Sequence, residues 1–270
     1  MTKAGSPVAV QPAHEVYAIK FAENPEGKRG EYFCGRAAHP REASMPMDYF
    51  VWLVRTPQAD IVVDAGYTAD TAARRGRRYL RTPSEALRLL GVNCEAVPLL
   101  VLSHFHYDHV GGLEAFPQAR IVVQEREMAF WTGPFAARRE LHHLIEDEDI
   151  LRLVELGLAG RLLYVDGDRE MVPGVQVHRV GGHTPGMQVI SVATARGIIV
   201  LAADASHFYE NVDGDAPFAV HTDLAGIYHA FDVMRELASS PDLIIPGHDP
   251  EVLRRFDAVD GLDGIAVRIA

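Results

Sequence analysis

Ser103-His104-Phe105-His106-Tyr107-Asp108-His109 directly follows the apolar run Leu99 to Leu102 and precedes the pair Gly111-Gly112. Three imidazoles and a carboxylate within six positions make a poor core, because each buried neutral imidazole needs both a donor and an acceptor partner. As ligands they make sense: imidazole and carboxylate together suit zinc and related divalent metals. Residues leaving a strand end into a loop can converge on one point while the strand holds them still. This stretch therefore predicts a metal site at the end of a strand.

Three further sites lie outward from it. Gly181-Gly182-His183-Thr184-Pro185-Gly186 sets one histidine in a glycine-rich loop between two strand-like runs. Asp204 follows the apolar run Ile198 to Leu201, and His248 follows Leu243 to Ile245. Each potential ligand comes after a strand, where ligands gather in sheet-based folds. Further strand-like runs are Glu15 to Phe21, Tyr49 to Val54, Ile61 to Val63, Arg120 to Val123, Leu162 to Val165, Val175 to Val180 and Met187 to Val192. Several are continuously apolar, as expected when both faces of a sheet are covered. Thr82-Pro83-Ser84-Glu85 reads as a capping box with Pro at the first helical position, and Gly91 closes that helix. A longer helix is predicted from about Thr222 to Ala238, with Leu224, Ile227, Phe231, Met234 and Leu237 forming one buried stripe.

Composition limits what such a site can serve. At 270 residues with 48% hydrophobic residues, the chain can bury a substantial core, which excludes a disordered chain. The longest apolar runs fall far short of the roughly 20 residues a membrane span needs. The start, MTKAGSPVAVQPAHEVY, lacks the apolar segment of a secretory leader. With 26 Lys and Arg against 37 Asp and Glu, the net charge of −11 would repel a phosphate backbone, so no nucleic-acid partner is expected. Cys34 and Cys94 form no CxxC pair, and a cytoplasmic enzyme fits best. No repeat or linker marks a boundary, so residues 1–270 read as one domain with a helical insertion at about 125–160, placed as a lid over the sheet ends. Its acidic run Glu146-Asp147-Glu148-Asp149 reads as a solvated face. Arg74, Arg75, Arg77, Arg78 and Arg81 read as another such face, or as a receiver of a carboxylate together with His143.

The order HxHxDH, GHTPG, Asp after an apolar strand, then GHD near the C-terminus resembles the metallo-β-lactamase superfamily, from about Val51 to His248. The resemblance implies an α/β (α+β) fold, a four-layer αββα sandwich with metals at one edge of the two sheets. It implies one zinc held by His104, His106 and His183 and a second held by Asp108, His109 and His248, with Asp204 bridging both. Asp64, in Val62-Val63-Asp64-Ala65-Gly66, resembles the family's Asp-x-Gly strand end, and with Ser103 would orient ligand imidazoles. Two Zn²⁺ are the expected cofactors, although other divalent transition metals would bind the same residues. The implied chemistry is hydrolysis by metal-bound hydroxide, with Asp108 moving a proton to the leaving oxygen.

Among the branches of that superfamily, Asp204 as the bridge argues against the antibiotic-hydrolysing ones. His106 argues against the di-iron oxygen-reducing branch, which carries Glu there, and the acidic charge fits the tRNA-processing branch badly. Glyoxalase II-type thioesterases carry a helical extension, whereas only residues 249–270 follow His248 here. The flanks look most like the N-acyl homoserine lactonases, so a lactone or related carbonyl compound is the expected substrate. Another cyclic ester, a cyclic amide, a thioester, or a metal-binding protein without turnover are the alternatives. That branch carries Tyr three residues after the bridging Asp, where this chain has His207, with Tyr209 two positions on; either would donate to the substrate carbonyl. Met45, Met47, Phe105, Tyr107, Phe130, Trp131, Phe135 and His142 are expected near the metals as pocket walls. A homodimer formed through a sheet edge or through the segment before Met45 is left open.

Overall fold

The computed structural model describes residues 13–270, so most of the stretch read for a leader lies outside the described residues. In chain order the strands are β1 (Glu15–Asn24), β2 (Met47–Arg55), β3 (Asp60–Val63), β4 (Arg78–Tyr79), β5 (Leu99–Val101), β6 (Arg120–Gln124) and β7 (Leu162–Val165). They continue as β8 (Arg169–Val172), β9 (Val175–Arg179), β10 (Gln188–Thr194), β11 (Gly197–Ala203), β12 (Ile244–Pro246), β13 (Asp257–Ala258) and β14 (Ala266–Arg268). One sheet runs β13-β14-β1-β2-β3-β5-β6-β7, with β4 pairing on β1; the other runs β12-β11-β10-β9-β8.

Alternation along the strands divides the apolar residues among three layers. Phe50, Trp52 and Val54 of β2 face Val177, Ile190 and Leu201 in the layer between the sheets, while Val51 and Leu53 point the opposite way. On that outer face they meet Leu87, Phe116 and Leu153 from helices and loops. Val189 and Val200 of the smaller sheet point outward onto Ile227, Phe231 and Met234 of helix Leu224–Leu237. Helix, sheet, sheet and helix thus stack as four layers, the expected sandwich. The predicted stripe is shorter by one residue, because Leu224 sits exposed at the helix start. Thr82 closes the predicted capping box with Glu85.

Residues 125–160 depart from the lid expectation in their last helix. They connect β6 to its parallel neighbour β7 through helices Glu125–Trp131, Arg139–His142 and Asp147–Leu158. Parallel neighbours require such a crossover. Helix Asp147–Leu158 buries Ile150, Leu153 and Leu156 against the larger sheet, so it is structural cover. The acidic and basic runs are partners: Glu146 pairs with both Arg74 and Arg75.

Candidate active site

β3, β5 and β6 run parallel, as do β11 and β12, so several strands deliver their C-terminal ends to one edge of the sandwich. Asp64 leaves β3, residues 103–109 leave β5, Asp204 follows β11 and His248 follows β12, while His183 comes from the loop between β9 and β10. Asp64 and Ala203 have φ of 61° and 42°, uncommon for side-chain-bearing residues. This turns the chain sharply where each carboxylate must enter the site. All seven expected donors are buried.

Their donor atoms form two groups that share Asp204: His104, His106, His183 and Asp204, then Asp108, His109, His248 and Asp204. His183 Nε2 lies 3.2 Å from His104 Nε2, 2.9 Å from His106 Nδ1 and 3.3 Å from Asp204 Oδ2. Asp204 Oδ1 turns to the second group, 3.2 Å from His109 Nε2 and 2.9 Å from His248 Nε2. Asp108 Oδ2 stands 3.7 Å from both of those nitrogens.

The opposite edges of the rings fix their tautomers. Nδ1 of His183 donates to the Val220 carbonyl at 2.8 Å, and Nδ1 of His248 donates to the Asp48 carbonyl at 2.9 Å. His109 Nδ1 donates to Asp64 Oδ2 at 2.7 Å. His104 Nδ1 donates to Ser103 Oγ, whose hydroxyl donates in turn to Asp64 Oδ2. Each of these four rings therefore turns Nε2 inward, the arrangement that orients metal-binding imidazoles. Burial and neighbouring imidazoles hold His104 and His106 well below the ordinary histidine range. Burial opposes charge on His109 too, but the carboxylates of Asp204, Asp64 and Asp108 outweigh it and raise the ring well above that range.

These residues fit divalent cations. Nitrogens bound to a tetrahedral ion at about 2.0–2.1 Å would stand about 3.3 Å apart, close to the separations around His183. His109 Nε2 and Asp204 Oδ1 are buried without a hydrogen-bond partner, a costly arrangement unless a ligand engages them. Three buried carboxylates, Asp64, Asp108 and Asp204, also call for positive charge. The donor set of imidazole and carboxylate belongs to zinc and its neighbours.

Residues 46–248 match the model of the metallo-beta-lactamase superfamily. The chain belongs to the metallo-beta-lactamase superfamily. Within it, the chain is 28% identical over 222 residues to an N-acyl homoserine lactonase of a Bacillus species, covering 76% of this chain and 83% of that one. It is likewise 28% identical to N-acyl homoserine lactonase AiiB of Agrobacterium fabrum, covering 74% and 79%. An N-acyl homoserine lactone hydrolase solved with N-hexanoyl-L-homoserine at its catalytic metal center superposes with a TM-score of 0.72 at 24% identity, covering 92% and 98%. AidC, described as a dizinc quorum-quenching lactonase, gives 0.67 at 19% identity, covering 89% and 90%.

Several expectations for this superfamily member need correction. Tyr209 turns away from the cluster: its ring lies in the layer between the sheets, under the Arg255 guanidinium at 3.5 Å. His207 Nε2 donates to Asp204 Oδ2 at 3.0 Å, so its proton serves the shared carboxylate and is not free for a substrate carbonyl. Burial pushes that ring down to about 4, which keeps it neutral. Met47, Phe105 and Tyr107 are core residues on the outer face of the larger sheet. Tyr107 packs beneath the Arg75 guanidinium, 3.8 Å from it. Trp131 does border the site, its ring 5.5 Å from that of His106. Phe135 is 55% exposed and stacks on Phe130, while His142 faces solvent and pairs with Asp147 at 2.8 Å. Its neighbour His143 lines the cavity instead, a chamber of about 320 Å³ walled also by His106, Glu140, His183 and His221.

Glu127 escaped the sequence reading. Fully buried, it accepts from Phe105 N–H, Gly186 N–H, Thr184 Oγ1 and Trp131 Nε1 at 2.7–3.0 Å. It thus ties the loop of His104 and His106 to the loop of His183. Its only sequence signal is a carboxylate at a position where the short helix must face the core.

Proposed function

We propose that this chain is a dinuclear zinc hydrolase that opens lactone rings, its substrates resembling N-acyl homoserine lactones. The observation that carries the reading is Asp204, whose two oxygens face two separate groups of donors. The names of relatives at 28% identity support the choice of bond. His104, His106 and His183 would hold one ion and Asp108, His109 and His248 the other, with Asp204 shared. Ions bound there supply Lewis acidity toward a carbonyl oxygen and ionise water near neutral pH.

The chain's own residues do the rest. Asp64 and Ser103 keep His104 and His109 in the tautomer that leaves Nε2 free. His207, neutral and donating, holds the orientation of the Asp204 carboxylate. Asp108 is the acceptor able to take a proton released during attack and to return it to the departing ring oxygen.

Proton release by metal-loaded protein on a panel of lactones, with a glutathione thioester as control, tests the reading. Acyl homoserine lactones are expected to open fastest. Asp108→Asn is expected to lower kcat/KM by about 10²–10⁴. No turnover of any lactone, with brisk thioester cleavage, would replace lactones as the substrate class.

A further inference from the structure

A second chamber of about 600 Å³ adjoins the inner cavity and shares Leu141, His221 and Thr222 with it. Its apolar walls include the stacked rings of Phe130 and Phe135, with centroids 6.0 Å apart, together with Leu141. Its polar walls carry two arginines and two histidines. Arg126 and Arg179 both line the chamber, and among the described residues neither forms an ion pair. Arg179 Nε is buried without a hydrogen-bond partner. Asp168, whose carboxylate accepts from the Arg179 backbone N–H, is also engaged by His178 Nδ1.

The amino-terminal end of helix Leu224–Leu237 reaches the same chamber through Asp223 and Gly226, adding the positive end of a 14-residue helix. Asp223 is the one carboxylate on the chamber wall, against the two guanidiniums of Arg126 and Arg179 and the imidazoles of His221 and His229 on the same wall. A purely apolar arm laid here would strip water from both guanidiniums and return nothing to them, which is costly. A carboxylate would satisfy them with charge-assisted hydrogen bonds.

We infer that the outer chamber receives an anionic group of the carboxylate class, carried on an apolar or aromatic arm of the substrate whose ring sits at the metals. The substrate assignment rests on the lactone-opening reading of the metal centre; the anion site itself does not.

Binding of straight-chain α,ω-dicarboxylates to the metal-loaded protein, against monocarboxylates of the same length, is the test, read by calorimetry. One carboxylate of each molecule has the metals as its partner, so the difference reports the far end. For the best-fitting length, the dicarboxylate is expected to bind about ten- to a hundredfold tighter, with the advantage shrinking in high salt. Arg126→Gln with Arg179→Gln is expected to bring the ratio near one without weakening the monocarboxylates, and Arg179→Lys to restore part of it. Equal binding in the unaltered protein, or a ratio that survives the double substitution, overturns the inference. In parallel, lactones with a terminal carboxylate on the acyl chain are compared with neutral ones. Discrimination between the acids with no lactone opened would retire the lactone reading and leave the anion site standing; opened lactones with equal acid binding would do the reverse.

Discussion

Three of the four hydrogen bonds that Glu127 accepts come from two loops that carry candidate metal-binding histidines, and the fourth from Trp131 of its own helix, so its loss would be felt at both loops. Glu127→Ala leaves buried N–H and O–H groups unpaired, each costing about 1–3 kcal/mol when orphaned. The expected outcome is a total loss of roughly 3–5 kcal/mol and metal binding about 10- to 100-fold weaker. Gln should rescue little, because its amide nitrogen would point at donors. Thermal melts and metal titration check this, and a variant matching the parent in both would refute the tie. Asp149 provides a pH signature far from the metals. Burial, then the carboxylates of Glu146 and Glu148, push it up to about 7, partly offset by Arg74 and Arg75. A carboxyl raised from about 3.9 in the unfolded chain favours folding in its protonated form, so its contribution is present at low pH and lost as pH rises through 7. Asp149→Asn is therefore expected to stabilise the fold by about 1–2 kcal/mol at pH 8, with no gain near pH 4. Melts at both pH values test it; a gain independent of pH would sink the assignment.

Among the elements, one exacting contact is a pair of glycines. Gly182, at φ +83°, sits against Gly226 in the first turn of helix Leu224–Leu237, and a Cβ on Gly226 would lie 2.9 Å from Gly182 Cα. The same helix start donates Thr222 and Asp223 N–H groups to the Gly182 carbonyl, clamping the loop of His183. Gly226→Ala is expected to cost about 1–3 kcal/mol by overpacking and to weaken metal binding through His183. Unchanged melting and metal titration would show that the loop tolerates the shift. The ligand loops were legible in the sequence because each follows a long apolar run, and such runs formed the strands that carry them. β4, β8, β13 and β14 were not: they span two to four residues, too few to show a period, and all but β14 are exposed or half-buried. The facing of His142 and His143 was equally hidden, since adjacent residues of a short helix diverge and only the packed fold decides which meets the cavity. Glu127 was invisible for a related reason, its four donors coming from three separate segments.

For the whole molecule, the candidate metal centre joins the two sheets. Asp64 and the residues around His104 extend from the larger sheet, Asp204 and His248 from the smaller. A ligand held only by the folded state adds about 4 kcal/mol when its concentration is a thousand times Kd. Treatment with a chelator is therefore expected to lower Tm by several degrees, and zinc should restore it; a melt indifferent to both would mean that the ions do not brace the sheets. No helix among the described residues is long and apolar enough to cross a membrane. The spacing of the ligands along the chain also sets a schedule. A growing chain emerging from the ribosome holds the first group only once Asp204 has followed β11, and the second only once His248 has followed β12. On the proposed ligand assignment, loading of both ions would be a closing event of biosynthesis, sealing a fold whose two halves have already found each other.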